Sequence, residues 1–141
     1  MSTETIQIHL VTSWSTKDII TLYKAGGWWK ESYNPTLVSQ MIAGSFRFAV
    51  AVDTTTQATI GMGRVISDGI SDAYIQDVIV LPKYRHKGIG HSLITRLVNE
   101  CLTQGIVWIG LIAEGDSTKF YQPLGFTVMK DHHPMLLTME K

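Results

Sequence analysis

The sequence predicts a protein of the α/β class, in which helices lie on the faces of a mixed β-sheet. Two observations support this prediction. Short apolar runs rich in β-branched residues alternate with segments whose apolar residues recur at helical spacing, and glycines, prolines or polar clusters separate them. The 141 residues are 45% hydrophobic and show no repeat or low-complexity linker, so we expect residues 1–141 to form a single domain.

The first two predicted elements are a strand and a helix. Apolar residues alternate with polar ones over residues 6–10, as in a strand with one buried face. Ser15 or Thr16 is a suitable cap for the helix that follows, because its hydroxyl oxygen accepts a hydrogen bond from the first helical turn. We expect this helix to end at Gly26, the first of two consecutive glycines.

A second helix and a hairpin come next. Asn34 is a suitable helix cap and Pro35 is pre-set for a first turn, which predicts a helix that runs toward Gly44. Residues 46–52 and 60–66 are apolar and rich in β-branched residues, and the polar segment DTTTQAT lies between them. This pattern predicts the two strands of a β-hairpin.

The middle of the chain contains two long apolar runs on either side of an amphipathic segment. Residues 73–81 are apolar apart from Gln76 and Asp77, which predicts a central strand. A long helix should follow and end at Gly105, because glycine readily takes the left-handed conformation at a helix terminus. Residues 106–113 predict another buried strand.

The C-terminal part of the chain predicts a short helix and two strands. The helix should run from Asp116 to Leu124, where Gly125 releases the chain. Residues 126–129 and 135–139 have the composition of a closing pair of strands around the turn KDHHP. The predicted order is therefore strand, two helices, three strands, helix, strand, helix and two strands.

Composition and charge narrow the classes of function. Lys plus Arg equals Asp plus Glu at 12 each, so we expect no broad basic surface and no nucleic-acid or membrane partner. The lone Cys101 excludes an internal disulfide, and no apolar run reaches the length of about 18 residues needed to span a bilayer. The N-terminus lacks the pattern of a signal peptide, so the expected compartment is the cytoplasm.

Residues 85–90, RHKGIG, connect the predicted central strand to the long helix. The first turn of a helix has unpaired backbone N–H groups, and these groups and the helix dipole attract an anion. Gly88 and Gly90 leave room for a bulky anion, while Arg85 and Lys87 add positive charge. The segment therefore predicts a diphosphate site, with a solvated turn as the alternative. It matches neither the P-loop nor the dinucleotide pattern.

The same segment, together with FYQPLGF at residues 120–126, resembles the GCN5-related N-acetyltransferase (GNAT) superfamily. The family signature [QR]xxGx[GA] fits residues 85–90, and the order of elements matches over nearly the whole chain. The resemblance implies a splayed mixed sheet with helices on both faces, and acetyl-CoA as the cofactor. It also implies a bulge in the predicted central strand, whose backbone then pairs with the pantetheine arm. The residues implied to contact acetyl-CoA are Val78, Ile79, Val80, Arg85, His86, Lys87, Gly88, Ile89, Gly90, His91 and Tyr121.

Two residues are candidates for catalysis. Tyr121 occupies the position of the acid tyrosine in the family that this chain resembles, which implies that its phenol protonates the departing CoA sulfur. The alternative is a core aromatic. Asp77 is open to two interpretations. It is either a carboxylate that binds or deprotonates the amine, or a structural acceptor for a loop N–H in the core, on the face opposite Gln76.

Aromatic residues mark the expected acceptor site. In the resembling family the segment between the first two helices flanks the acceptor, and here it carries Trp28, Trp29 and Tyr33. Aromatic rings bind organic ammonium groups and arylamines. Tyr74 and Gln76 on the predicted central strand are further candidates for contact with the acceptor. The pair His132–His133 is a poor ligand set, so we expect no metal.

These residues predict an acetyl-CoA-dependent N-acetyltransferase that transfers acetyl directly to a primary amine, most simply that of a small molecule. A peptide or protein acceptor is one alternative, and a non-catalytic acyl-CoA-binding module is another. A homodimer is also open, although no interface can be recognised in the sequence.

Overall fold

The computed structural model describes residues 5–139 and contains a five-stranded mixed sheet. The strands follow one another in space as they do in sequence, and the first four are antiparallel while the last pair is parallel. The α/β fold predicted from the sequence is confirmed. The strands are β1 (Ile6–Leu10), β2 (Arg47–Asp53), β3 (Ala58–Ser67), β4 (Asp72–Val80) and β5 (Trp108–Gly110).

The described residues contain four α-helices: α1 (Thr16–Ala25), α2 (Val38–Gly44), α3 (Ile89–Thr103) and α4 (Thr118–Tyr121). Helix α1 begins as predicted, because Ser15 Oγ accepts a hydrogen bond of 3.2 Å from the backbone N–H of Asp18. Asn34 caps a 3-10 turn at Pro35–Leu37 that leads directly into α2. The predicted starts of the first two helices are therefore confirmed.

Helices cover both faces of the sheet. Met62 of β3 packs in one buried cluster with side chains of α1 and α2. Its neighbours Gly61 and Gly63 face the other way, where a Cβ atom would lie 3.3 Å from Leu93 and 3.2 Å from Leu97 of α3. The two glycines let α3 approach the sheet closely, because any side chain there would press against the helix.

Strand β4 is irregular at the position where the resemblance implied a bulge. Met62 pairs with Ile79 and Arg64 pairs with Gln76, so Gly63 alone stands opposite Asp77 and Val78. Asp77 takes a left-handed conformation with φ of +59°. An extra residue of this kind makes a strand bend and reverses which face the later side chains occupy.

The edge of β4 that faces β5 is paired over a short length. Ladder pairs join Asp72–Tyr74 of β4 to Trp108–Gly110 of β5, and among the described residues none continues over the rest of β4. The two parallel strands therefore separate beyond Tyr74, which agrees with the splayed sheet implied by the resemblance. The resulting open edge consists of residues 75–80.

Strand β4 lies between β3 and β5, so the central strand predicted over residues 73–81 is an internal strand of the sheet. One prediction about the strands was wrong. Strand β5 is short and lies at the sheet edge, with Trp108 39% exposed and Val107 82% exposed, so it is not a buried strand.

The described residues divide into two compact units, one up to Leu111 and the other from Ile112. In the second unit α4 is shorter than predicted, because Pro123 lacks the N–H that a longer helix needs and a 3-10 turn takes over at Gln122–Leu124. The ends of the predicted single domain, residues 1–4 and 140–141, lie outside the described residues.

The predicted closing strands are absent from the described part of the second unit. The turn within KDHHP forms, with Asp131 at φ of +60°, but residues 126–129 and 135–139 on either side pair with no strand there. Composition alone predicted these strands, and a strand also needs a partner edge for its backbone. Among residues 5–139, no helix has the length and apolarity required to cross a membrane.

Candidate functional site

The turn between β4 and α3 has two left-handed residues. His86 has φ of +65°, and Gly88, which caps the N-terminus of α3, has φ of +81°. Backbones that combine right-handed and left-handed residues before a helix form concavities of N–H groups that bind anions. The geometry predicted from RHKGIG is therefore present at the start of a 15-residue helix.

Gly88 has open space where a side chain would project. A Cβ atom built on Gly88 would have no neighbour within 4 Å, so packing inside the protein does not explain the glycine. The positive φ and the clear approach to the helix N-terminus do explain it. The residues present therefore fit a phosphate-containing ligand such as the diphosphate of acetyl-CoA.

A cavity of about 340 Å³ opens beside this turn. It contains two cationic side chains, Lys87 and Arg96, and none of its described lining residues is acidic. The charge therefore favours an anion, although the whole chain is neutral. The lining residues are Ile6, Ile8, Lys87, Gly88, Ile89, Ser92 and Arg96.

The charged side chains of the turn have partners within the protein. Arg85 Nε donates a 2.8 Å hydrogen bond to the carbonyl oxygen of Val80, so this side chain ties the end of β4 to the turn. Lys87 Nζ lies 5.7 Å from the centre of the Tyr84 ring. Ile89 is 6% exposed and its side chain belongs to the core, while His91 lies in the first turn of α3. The anion site predicted from the sequence would therefore depend on the backbone more than on these side chains.

Asp77 is held by two donors at the bulge of β4. Its Oδ2 atom accepts hydrogen bonds of 2.7 Å from both Arg64 Nε and the Tyr23 hydroxyl. The Asp77 and Arg64 side chains are 21% and 17% exposed. Burial and the neighbouring Asp77 carboxylate raise the pKa of Tyr23 far above its ordinary value, so Tyr23 remains a donor at any physiological pH.

The position of Asp77 corrects the expectation from strand alternation. Arg64 stands opposite Gln76 in the ladder and reaches Asp77 with its side chain, so Gln76 and Asp77 point toward the same face. The bulge causes this, because the left-handed residue interrupts the alternation. Asp77 also binds two side chains rather than the loop N–H that the structural interpretation expected.

Sequence reasoning missed Arg64 and Tyr23 as parts of this site. Arg64 is a single charged residue within an apolar strand, and Asp77 is the single acid within the next predicted strand. Two isolated opposite charges in neighbouring strands are a usable signal for an ion pair. Tyr23 offered no such signal, because it fits the apolar face of α1.

The aromatic segment after α1 packs near this network. The Trp28 ring meets the Tyr23 ring edge-on at a centroid distance of 6.1 Å, and Trp29 meets Tyr33 in the same way at 5.4 Å. Trp28 and Trp29 are partly buried against the cluster of α1 and α2, while Tyr33 is more exposed. The segment is thus connected to Asp77 through Tyr23.

On β4, Tyr74 and Gln76 are exposed. The Tyr74 ring packs edge-on against Trp108 of β5 at 5.3 Å, which covers part of the last ladder pair before the strands separate. Both residues precede the bulge, so they lie where the edge of β4 begins to open.

Tyr121 lies at the end of α4 in the second unit. Its ring packs edge-on against Phe120 at 5.0 Å and against Phe126 at 6.0 Å. Burial, and then the charge of Glu114, raise the pKa of Tyr121 above its ordinary value. The phenol therefore stays protonated at neutral pH, as a proton donor must.

A splayed sheet with a left-handed turn before its longest helix is the arrangement that the resemblance to the acetyltransferases implied. The family model described as acetyltransferase (GNAT) domain matches residues 18–134, and the chain therefore belongs to this family. The family membership predicted from the sequence is confirmed.

Three curated relatives match about half of the chain. It is 43% identical over 67 residues to the chloroplastic GCN5-related N-acetyltransferase 2 of Arabidopsis thaliana, covering 48% of this chain and 26% of that protein. It is 42% identical over 67 residues to a histone acetyltransferase of Glycine max, covering 48% and 29%. It is 33% identical over 72 residues to a chloroplastic serotonin N-acetyltransferase of Oryza sativa, covering 51% and 36%.

The chain thus spans about a quarter to a third of the length of these relatives. A solved structure matches over almost its full length. It is an acetyltransferase of the GNAT family from Streptococcus pneumoniae, 28% identical, with a TM-score of 0.79 over 96% of this chain and 99% of that one.

Proposed function

We propose that the protein is an acetyl-CoA-dependent N-acetyltransferase that transfers acetyl directly to the primary amine of a small molecule. One observation supports this most strongly: the left-handed Gly88 at the N-terminus of α3, with open space above it and with Lys87 and Arg96 beside it. Because the chain belongs to the acetyltransferase (GNAT) family, we assign this anion site to the diphosphate of acetyl-CoA.

In this proposal the protein binds the cofactor mainly through its backbone. The N–H groups of residues 86–91 bind the diphosphate, and the open edge of β4 at Val78, Ile79 and Val80 binds the pantetheine arm. When bound, acetyl-CoA supplies an acetyl group activated as a thioester. Arg85 acts indirectly, by tying the end of β4 to the turn.

Tyr121 is the proposed proton donor to the leaving thiolate. The phenol of a tyrosine is protonated at neutral pH and therefore has a proton to give, and burial of Tyr121 raises its pKa and keeps it in this form. Asp77 is assigned a positioning role, since one carboxylate oxygen already accepts two hydrogen bonds and a neighbouring cation balances its charge. Water is then the simplest acceptor for the proton of the amine.

The acceptor is proposed to lie among five side chains of the first unit: Trp28, Trp29, Tyr33, Tyr74 and Gln76. Aromatic faces favour an aryl or alkyl amine, and the name of the serotonin N-acetyltransferase relative fits such a substrate. The name of the histone acetyltransferase relative fits the alternative, a lysine of a protein.

Residues 1–141 are proposed to act as one catalytic domain. The cytoplasmic compartment stays a prediction, and two of the relatives above are named chloroplastic.

The test measures thiol release from acetyl-CoA with a panel of small amines and lysine peptides. We expect a small arylalkylamine to be acetylated fastest. Tyr121→Phe should lower turnover about 100-fold and leave CoA affinity unchanged. The loss should shrink with acyl donors whose thiols leave more easily, because these need less help from an acid.

Three outcomes would change the proposal. Binding of CoA without amine-dependent thiol release would favour a non-catalytic acyl-CoA module. Faster acetylation of peptides than of small amines would favour a protein acceptor. An equal loss in Tyr121→Phe with every donor would remove Tyr121 as the acid.

A further inference from the structure

Two aromatic side chains form an exposed corner where β4 and β5 are still joined. The rings of Tyr74 and Trp108 meet at a centroid distance of 5.3 Å with an angle of 61° between their planes, and we call this pair the aromatic corner. Tyr74 is 44% exposed and Trp108 is 39% exposed, whereas Phe48 on the same face of the sheet is 1% exposed. Ile66, the ladder partner of Tyr74, adds another partly exposed apolar side chain. Contiguous exposed apolar surface is typical of a ligand-binding site.

Gly110 allows the Trp108 ring to lie along β5. A Cβ atom built on Gly110 would be only 2.8 Å from the six-membered part of the indole, so the ring occupies the space where a side chain of residue 110 would project. Gly110 has no left-handed φ, so its backbone conformation does not require a glycine. The position of the ring therefore explains the glycine. A ring held against a strand in this way loses little conformational entropy when a ligand stacks on it.

The aromatic corner lies on the same face of the sheet as the Asp77 network. Tyr74 and Gln76 are two residues apart on β4 and share a face, and Arg64, the ladder partner of Gln76, reaches Asp77 on that face. Tyr74 and Gly110 form the last ladder pair before the two strands separate. A strand rises about 3.3 Å per residue, so Asp77 lies roughly 10 Å from Tyr74 along β4. The aromatic corner is therefore one small-molecule length away from the bulge.

We propose that Tyr74 and Trp108 bind an aromatic ring of the acceptor and thereby select primary amines by the distance between ring and nitrogen. The proposed function, on which this assignment rests, puts the acetyl group at the open edge of β4. A ring in the aromatic corner places its amine at that edge when the connecting chain spans roughly 10 Å, which corresponds to about six methylene groups. Trp108 is then a specificity-determining residue.

The surroundings of the aromatic corner favour an aromatic ring over a second cation. Ring faces and the neighbouring Ile66 present apolar surface, which an aryl group covers well. Asp72, the ladder partner of Trp108, is exposed to solvent, and exposed carboxylates attract cations only weakly. Both carboxylate oxygens of Asp68, in the turn before β4, already accept hydrogen bonds from that turn.

The experiment compares phenylalkylamines of increasing chain length with unbranched alkylamines of the same lengths, at saturating acetyl-CoA. We expect the phenyl ring to raise kcat/KM about tenfold when the chain has about six methylene groups, and to have little effect in shorter amines. Trp108→Ala should remove this advantage, mainly through the KM for the amine. It should leave the alkylamines and the KM for acetyl-CoA unchanged.

Three further variants distinguish binding by the ring from an effect on the fold. Trp108→Phe keeps an aromatic ring and should retain most of the chain-length preference. Gly110→Ala keeps Trp108 but displaces its ring from β5, so it should lower the preference as Trp108→Ala does. Val107→Ala is the matched control, because Val107 is 82% exposed beside Trp108 and lies outside the aromatic corner. It should leave the preference unchanged.

The results also distinguish the aromatic corner from the proposed function. Equal acetylation of alkylamines and phenylalkylamines at every length would overturn the aromatic corner and leave the acetyltransferase in place. Faster acetylation of a diamine of the same length would also overturn it, because the corner would then bind a cation. If no amine is acetylated, the proposed function is wrong and calorimetry with CoA present tests the corner. Binding of the long phenylalkylamine that Trp108→Ala abolishes would then support it, and absence of such binding would overturn it.

Discussion

Two regions on the first unit differ in how they are built. The turn before α3 offers backbone N–H groups and a glycine for the proposed anion site, and its side chains are engaged elsewhere, as Arg85 shows. The sheet face under α1 uses side chains instead, because Asp77 of β4, Arg64 of β3 and Tyr23 of α1 form one network beside the tryptophans. A site formed by the backbone tolerates substitutions of its side chains and loses its function when the backbone conformation changes. A site formed by side chains loses its function when those side chains are replaced.

This difference suits the two proposed ligands. A cofactor shared by a whole family is bound by groups that every residue possesses, so the motif needs few fixed side chains. An acceptor that differs between family members is bound by side chains, which vary freely. The comparison therefore predicts that substitutions in the two regions separate cofactor affinity from acceptor chemistry.

The largest effect is expected at the network. Arg64→Met leaves the mostly buried Asp77 carboxylate without its cation, so the bulge of β4 should shift. A displacement of about 1 Å lowers rates about 100-fold, and we expect a fall in turnover of this size with CoA affinity unchanged. The lost hydrogen bond should also lower the free energy of unfolding by about 2 kcal/mol.

Arg47→Met is the matched control for Arg64→Met. Arg47 Nε forms a 2.8 Å ion pair with Glu100, and these side chains are partly buried, with 30% and 28% of their surface exposed against 17% and 21% for Arg64 and Asp77. This change should lower stability similarly, as measured by urea unfolding, and should leave turnover unchanged. Equal losses of turnover in both variants would mean that Arg64 acts through stability alone.

The second effect is expected at the turn. Gly88→Ala adds a methyl group where the diphosphate is proposed to approach, and it should weaken CoA binding in calorimetry at least about tenfold. Gly105→Ala is the control, because Gly105 has φ of +85° and equally open space at the other end of α3. It should carry a similar conformational cost without weakening CoA binding. Unchanged affinity in Gly88→Ala would contradict the anion site.

A smaller effect is expected among the aromatic residues. Tyr33→Ala removes the partner of the Trp29 ring, and such pairs contribute about 0.5–1.5 kcal/mol. The KM for an arylalkylamine should therefore rise about fivefold, and the KM for acetyl-CoA should not change. A short aliphatic amine is the control substrate and should show little difference. A rise in the KM for acetyl-CoA would mean that Tyr33 contributes to cofactor binding rather than to acceptor binding.

The smallest effect is expected from Tyr84, which precedes the anion-binding turn. Its hydroxyl donates a 2.7 Å hydrogen bond to Asp53 Oδ2 and holds the pKa of Asp53 below its ordinary value of 3.8. A lowered folded-state pKa stabilises the protein above the unfolded pKa, and this stabilisation is lost as the pH falls through the folded pKa.

Tyr84→Phe should therefore destabilise the protein near neutral pH, and the difference from the wild type should disappear in strong acid. Urea unfolding at both pH values measures this. Tyr33→Phe is the control, because the Tyr33 ring packs against Trp29 and its hydroxyl forms no hydrogen bond to a carboxylate within residues 5–139, so this variant should show no such pH dependence. A difference that persists in acid would show that Tyr84 acts through packing rather than through Asp53.

The sequence predicted the backbone geometry of the turn before α3 because its determinants are local. The left-handed position at Gly88 and the helix start after it follow from residues within one turn of each other. The caps at Ser15 and Asn34 were predicted for the same reason. Such features can be predicted without knowing which residues lie on the neighbouring strands of the sheet.

The network was not predictable in the same way. The partners of Asp77 lie 13 and 54 residues away, and the bulge that brings them together is a matter of strand register. The prediction of the closing strands was wrong for a related reason, because the composition of residues 126–139 indicates strands but does not indicate which strand they would pair with. In both cases the structure depends on contacts between residues that are far apart in sequence.

The glycines at positions 61 and 63 have a consequence for the rate of the proposed acetyl transfer. They allow α3 to lie close to the sheet, and the pantetheine arm of CoA has a fixed covalent length. If the proposed function holds, the distance between α3 and the sheet therefore determines how far along β4 the thioester extends. Gly63→Ala should raise the helix slightly, and it should slow acetyl transfer while CoA still binds with full affinity.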